Sequence, residues 1–324
     1  MARGMATRGT WWAVWLVALL VALVGGQAQA TAEMTPTATQ PVGQPAATPA
    51  APQEGDPSPS IGEPVSFERL SEGAFLELDP AYNGCGGQIA PVVNATYEQH
   101  VVELTNLERA KVSLPPLKRV SQLDDAARYY ATDMGQDNYF KSDHATYDRA
   151  GNDLIFVCNI ITRITTFYPN GSLAENIAGG YADPASVMAG WMASAGHRAN
   201  ILNTAVREIG VGYYEGSGDY FRYWVQDFGL RNSVYPLVIN REAAITPSTS
   251  VSLYIYGAWQ EIRLRNNQGA WTAWLPFQNS MPWTLDPVKG QQTVTAEMRN
   301  GGSPVTSSDT IIYGWGAYFP IIMR

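Results

Sequence analysis

The sequence predicts a mixed α+β domain followed by a small all-β module, and three observations carry that reading. Between residues 96 and 232, helical periodicity comes first and strand patterns follow, an order that indicates helices packed on a sheet. After about Tyr235 the chain breaks into short apolar runs separated by Gly, Pro, Asn and Ser, the spacing of strands and turns in a sandwich. Ahead of both, Thr31 to about Pro64 holds Thr, Ala, Pro, Gln and Ser with almost no large apolar side chain. Such a stretch buries too little surface to offset its ordering entropy.

The elements follow in chain order. "MARGMATRG" sets Arg3 and Arg8 before the apolar block "WWAVWLVALLVALVGG", and "AQA" ends at Ala30. A cationic start, an apolar middle and a small-x-small end predict a signal peptide over residues 1–30, hence a secreted, extracellular protein. The block is shorter than the roughly 20 residues a spanning helix needs. Residues 31–65 are then a disordered linker, and 66–95 a transition of unassigned structure. In an oxidising compartment Cys85 and Cys158 read as one disulfide, with two unrelated free thiols as the alternative.

Three helices and a hairpin come next. "TYEQHVVELTNLERA" opens with Thr96 and Gln99 as a capping box and repeats Val101, Leu104 and Leu107 at helical spacing. "SQLDDAARYYATDMG" starts on Ser121 and Asp124 and buries Leu123, Ala126, Ala127, Tyr130 and Met134. In "DPASVMAGWMA", Asp183 is the N-cap, Pro184 takes the first helical position, and Val187, Met188, Trp191 and Met192 face inward. "EIGVGYY" and "YFRYWVQDFG" form a hairpin through "EGSGD", with Tyr213, Tyr214, Tyr220 and Tyr223 as strand packing. From residue 236 to 324, "SVSLYIYG", "QEIRLRN", "AWTAWLPF", "MPWTLD", "QTVTAEMRN" and "SDTIIYG" are the strands of the second module. No internal repeat is evident.

Charge narrows the functional classes. Charged residues make up only 15% of the chain, net charge is −8 and pI about 4.9. There is no electrostatic footprint for nucleic acid and no cationic cluster for an anionic membrane.

Three stretches concentrate the remaining chemistry: "SDHATYDRAG" around His144, "LAENIAGGY" around Glu175, and "SAGHRANIL" around His197. With "LTNLERAKVSLPPL" before them and "EIGVGYY…YWVQDFG" after, the segment from about 97 to 230 resembles the CAP superfamily. That superfamily takes in cysteine-rich secretory proteins, antigen 5 and pathogenesis-related 1 proteins, and its bacterial, secreted branch is the most similar. The resemblance implies an α-β-α sandwich with a surface cleft. Eukaryotic members line that cleft with two histidines and two glutamates, which in some cases hold a divalent cation. His144 matches the first histidine, Glu175 the glutamate and His197 the second histidine. Ser194 stands where the second glutamate would be, so the set is incomplete.

Two imidazoles and one carboxylate suit Zn²⁺ with one position left for water, whereas Ca²⁺ wants six or more oxygens. Zinc is therefore the favoured cation if one binds. Without a metal, Glu175 hydrogen-bonds His144 or His197, or the three residues merely pin loops to the core. His197 is expected where the third helix stops, at the mouth of the cleft. Arg198, Asn200, Ile201 and Leu202 are read as structural and His100 as solvated.

The β module is similar to bacterial immunoglobulin-like or fibronectin III-like repeats, which implies display, adhesion or a cell-surface or glycan contact. Core packing is preferred for Trp271, Trp274 and Trp283 over a sugar-stacking role. The resulting expectation is a secreted protein that binds a small molecule, lipid or peptide in the cleft. The alternative is a hydrolase, either zinc-dependent or with Ser194 as nucleophile and His197 as base. Neither HExxH nor G-x-S-x-G is present to support it. A third reading is an adhesive surface protein resting on the β module.

Overall fold

The computed structural model describes residues 82–314. The expected signal peptide, the linker, residues 66–81 of the transition segment and the chain from 315 to 324 lie outside the described residues. All described residues belong to one compact unit. Their first structural event is the Cys85–Cys158 disulfide, with a Cα–Cα distance of 5.8 Å.

Helix α1 (Ala95–Lys111) is capped by Asn94, whose side chain accepts from Tyr97 N at 3.0 Å. The capping box at Thr96 and Gln99 is not used, because Asn94 supplies a side-chain oxygen one step upstream. The buried face of α1 is also rotated from the expected stripe. Val101, Val102, Thr105, Asn106 and Arg109 are inside, while Leu107 is exposed. Polar residues go inward there because they have partners: Asn106 brackets Leu117 through its N–H and carbonyl, and Arg109 donates to the carbonyls of Pro115, Ile201 and Asn203.

After strand β1 (Lys118–Arg119), helix α2 (Ser121–Gln136) buries all five predicted residues. Ser121 and Asp124 do not cap it; the N-cap is Val120, with no side-chain hydrogen bond. Asp124 instead accepts from Arg119 and from Val211 N (2.9 Å), tying the helix to the sheet. Strands β2 (Thr146–Ala150) and β3 (Asp153–Cys158) form a hairpin, followed by the short helix α3 (Ile160–Thr165). Strand β4 (Ser172–Gly179) leads to α4 (Pro184–Ala193). Here the Asp183 cap and Pro184 start hold as expected, with Ser186 completing a capping box. Val187, Met188 and Trp191 are buried, and Met192 is half-buried.

The chain does not stop its helix at His197. It breaks at Ser194, which ends α4 and starts α5 (Ala195–Ile201), so His197 rides within a new helix. The hairpin β5 (Glu208–Glu215) and β6 (Arg222–Leu230) follows in antiparallel register. The sheet order is β1-β5-β6-β4, leaving β4 at one edge.

One core lies between this sheet and α1, α4 and α5, including Val101, Val187, Trp191, Trp224 and Phe228. A second lies against α2, including Ala127, Tyr130, Met134, Ile177 and Val225. The glycines of "GVG" allow that second layer to close: a Cβ on Gly210 would lie 2.1 Å from Leu123 C, and one on Gly212 2.2 Å from Ala127 C. Only glycine lets α2 approach β5 so closely. The four tyrosines of the hairpin are packing, with Tyr213, Tyr220 and Tyr223 buried.

The following module has two sheets. One is β11-β10-β13-β14-β8: β11 (Leu275–Pro276), β10 (Glu261–Asn266), β13 (Gly290–Arg299), β14 (Val305–Tyr313) and β8 (Ile245–Thr246). The other is β12-β9-β7: β12 (Ser280–Thr284), β9 (Ser250–Ile255) and β7 (Leu237–Ile239). Alternate residues of both sheets, among them Val251, Leu253, Ile262, Leu264, Val294, Ala296 and Met298, meet in one core. Of "AWTAWLPF" only Leu275–Pro276 is strand. Trp271 and Trp274 are not in that core, against expectation. Arg263, Arg265 and Arg299, projecting from β10 and β13, stack on their rings at 3.8–4.8 Å from the centroids. Trp283 does pack against the core.

Candidate functional site

Strand β4 sets out the site through its alternation. Gly180 N donates to Arg222 O at 2.9 Å, so even-numbered β4 residues pair with β6, and the carbonyls of Glu175 and Ile177 point away from it. Those edge carbonyls are occupied. Asn200 Nδ2 donates to Glu175 O and Trp191 Nε1 to Ile177 O, each at 3.1 Å. The edge strand is thereby shielded from pairing with another chain there.

The Glu175 side chain lies on the α2 face, because it stands in register with Asp227 and Gly210, and Gly210 abuts α2. It is fully buried. Its Oε1 is 2.7 Å from His144 Nδ1, and its Oε2 accepts from the guanidinium of Arg163. Arg163 is itself fully buried and sits 3.4 Å from the centroid of the Tyr130 ring. Its other arm donates to His144 O at 2.9 Å. His144 has φ of +56°, a left-handed conformation that costs a residue with a side chain about 1 kcal/mol or more. The Arg163 and Glu175 contacts hold it there.

Two buried carboxyl groups so close cannot both ionise. Asp227 meets no N–H donor among the described residues. Burial, and then the Glu175 charge, push its carboxyl well above the usual range despite Arg163. Burial pushes Glu175 upward too, but Arg163 and the hydrogen bond from His144 outweigh it and hold that carboxylate low. Asp227 is therefore the protonated member of the pair.

His197 approaches from the other side of the β4 edge. Its carbonyl accepts from Asn176 Nδ2 at 3.1 Å, and its Nδ1 lies 2.7 Å from Ser194 Oγ. Burial lowers its pKa first, and the charge on His144 lowers it further. The two rings are therefore within electrostatic reach of one another.

The structure thus brings His144 and Glu175 into contact and pairs His197 with Ser194. It does not converge the three predicted ligands on one point. Among the described residues, the group with metal-type spacing is Asp133, Asp137 and Asp148. A resident cation does not fit the expected place: both oxygens of Glu175 are committed, one of them to a buried guanidinium whose charge repels a metal ion. What the arrangement does provide is a fixed imidazole. With Glu175 accepting from Nδ1–H, the His144 ring keeps Nε2 outside that pair, and its side chain is 22% exposed. Two surface cavities of about 590 Å³ lie away from these rings, around Leu114 and Tyr254 and around Tyr235 and Trp259.

Sequence reasoning missed Arg163 and Asp227. Each is a lone charge inside an otherwise uncharged stretch, "NIITRITTF" and "YWVQDFG", and that is the signal which could have marked them.

Residues 102–228 match the family described as the cysteine-rich secretory protein family, CAP. Over 139 residues the chain is 39% identical to the uncharacterized protein YkwD of Bacillus subtilis (strain 168), covering 43% of this chain and 49% of that one. It is 28% identical over 137 residues to the uncharacterized membrane protein YlbC of the same organism, covering 42% of this chain and 35% of that protein. The chain therefore spans about half or less of the length of these relatives. Among solved structures, it is similar to an extracellular protein containing a SCP domain from Bacillus anthracis str. Ames. That likeness has 28% identity and a TM-score of 0.34, over 42% of this chain and 40% of the other. Residues 102–228 of this chain are a CAP domain.

Proposed function

We propose that this chain is an exported binding protein whose CAP domain receives a small molecule, lipid or peptide in the hollow between His144 and His197. The observation that carries this reading is the fixing of His144. A buried Glu175, itself held by Arg163, orients Nδ1 and leaves Nε2 with no partner among the described residues. A ring that is only partly exposed suits contact with one segment of an extended ligand better than enclosure of a small molecule. The occupied carbonyls of β4 favour recognition through side chains over strand addition. Export rests on the predicted signal peptide and on the disulfide; no helix among the described residues is long and apolar enough to cross a membrane. The two-sheet module, read as immunoglobulin-like, serves display or adhesion, with the Trp271–Arg263–Trp274 stack on its surface.

The hydrolase reading has one supporting observation, the Ser194 Oγ to His197 Nδ1 contact of 2.7 Å. It stands second because the parts are divided. The carboxylate that would orient a catalytic ring serves His144, whereas the hydroxyl lies beside His197.

The test follows histidine ring signals by NMR while a water-soluble fatty acid and a pool of short mixed-sequence peptides are titrated separately. Binding in the hollow shifts both rings with one probe, and His144→Ala weakens that probe at least tenfold. If neither probe moves either ring, or His144→Ala binds as well as wild type, the proposed hollow is not the binding site.

A further inference from the structure

A second cluster lies near the end of α2, outside the histidine site. Asp133 and Asp137 are both fully buried, and with half-buried Asp148 they bring one carboxylate oxygen each to within 4.8 Å of one another. Asp133 and Asp137 are a helical turn apart; Asp148 comes from β2.

Each carboxylate is anchored by one oxygen. Tyr139 O–H donates to Asp133 Oδ2, Arg149 N donates to Asp137 Oδ1 at 3.3 Å, and Gly84 N donates to Asp148 Oδ1 at 3.0 Å. The opposite oxygens of the two buried residues, Asp133 Oδ1 and Asp137 Oδ2, are sealed from solvent and have no hydrogen-bond partner among the described residues. A buried acceptor left without a donor is costly, and two of them beside a third carboxylate compound the cost.

The nearby guanidinium groups direct their hydrogen bonds elsewhere. Arg149 spends its guanidinium on the backbone carbonyls of Asp137 (2.5 Å) and Asn138 (2.7 Å). Arg163 forms its ion pair with Glu175. No ion pair among the described residues includes Asp133, Asp137 or Asp148.

We propose that Asp133, Asp137 and Asp148 bind a hard divalent cation, calcium foremost. An all-oxygen set without His or Cys selects Ca²⁺ or Mg²⁺ over zinc. Calcium tolerates the irregular, one-sided geometry that three anchored carboxylates offer, with water completing its shell on the Asp148 side. The bound ion would join the end of α2, the β2 strand and the disulfide loop through Gly84, which precedes Cys85.

The test uses the disulfide-bonded protein stripped with EDTA and then given CaCl₂ or MgCl₂. Calcium in hundredfold excess over Kd raises the melting temperature by roughly 5 °C or more, and Tb³⁺ gives tyrosine-sensitised luminescence that calcium displaces. Asp148→Asn, at a half-exposed position that leaves the fold intact, weakens calcium at least tenfold. Asp143→Asn, an exposed carboxylate outside the cluster, does not. Absence of any melting shift or terbium signal at millimolar ion overturns the proposal. So does an equal response from Asp148→Asn, because the oxygens would then be satisfied by protons and the ion held elsewhere.

Discussion

Glu175 and Asp227 face each other as register partners on β4 and β6, two buried carboxyl groups sharing one proton beside the Arg163 guanidinium. Their roles are unequal. Asp227→Asn keeps a neutral donor of the same shape and costs less than about 1 kcal/mol. Glu175→Gln leaves Arg163 buried without its counter-ion and costs about 3–5 kcal/mol. Guanidinium denaturation at pH 7 measures both, and equal losses would mean that Asp227 is ionised in the native state.

His197 titrates below an ordinary histidine because burial and then His144 disfavour its charge. Replacing His144 with Ala removes the second cause, so the His197 midpoint rises toward the ordinary value without fully reaching it. A histidine-resolved NMR titration of wild type and variant reads the change. An unmoved midpoint would show that the two rings are too far apart to share a ligand.

The sequence displayed most clearly what short-range chemistry decides. Asp183 and Pro184 announce α4 because cap, proline and Ser186 lie within four residues of one another. The "GVG" stretch could be read as strand, though its reason lies in the approach of α2. His144 and Glu175 were legible through family motifs, and their contact is present. Features set by distant partners were hidden. Asp227 matters only because strand register puts it opposite Glu175, and Arg163 only because α3 turns it toward the same point. Trp271 and Trp274 looked like core residues, yet three arginines on neighbouring strands offer their faces a better partner outside it. Thr96 lost its cap role to Asn94 for a local reason, since the upstream side chain reached Tyr97 N first.

The Cys85–Cys158 bond closes a loop between residues 73 apart in sequence and holds the segment that donates Gly84 N to Asp148. Cys85→Ser with Cys158→Ser should lower stability by about 2–4 kcal/mol, mostly by freeing the unfolded chain. Denaturation of oxidised protein against the double variant checks it. A difference under about 0.5 kcal/mol would show that the native chain gains nothing from the cross-link.

The junction between the CAP domain and the two-sheet module carries its own pH dependence. Asn240, Arg241 and Glu242 are all left-handed, with φ of 45°, 58° and 67°. That turn is held by Asn106 Nδ2 to Arg241 O (3.0 Å) and Gln99 Nε2 to Glu242 O (2.6 Å). Lys118 sits between Glu242, at 2.8 Å, and Asp309. Burial, and then the Asp309 charge, push the Glu242 carboxyl up to about 8 against the opposing pull of Lys118 and the Arg119 N–H. A carboxyl raised in the folded state keeps a proton that the unfolded chain releases near pH 4.3. Its contribution is therefore full below that value and is lost as pH climbs toward 8. Lys118, itself raised, holds its charge throughout that window and loses its contribution only in more alkaline solution. Each step of one in pH across the window removes at most about 1.4 kcal/mol, so the Glu242 loss between pH 5 and 8 is a few kcal/mol at most. Glu242→Gln, which cannot ionise, should flatten that part of the stability profile measured by denaturation at pH 5, 6.5 and 8. Parallel profiles for variant and wild type would place Glu242 in its ordinary ionised form, paired with Lys118 as a simple salt bridge.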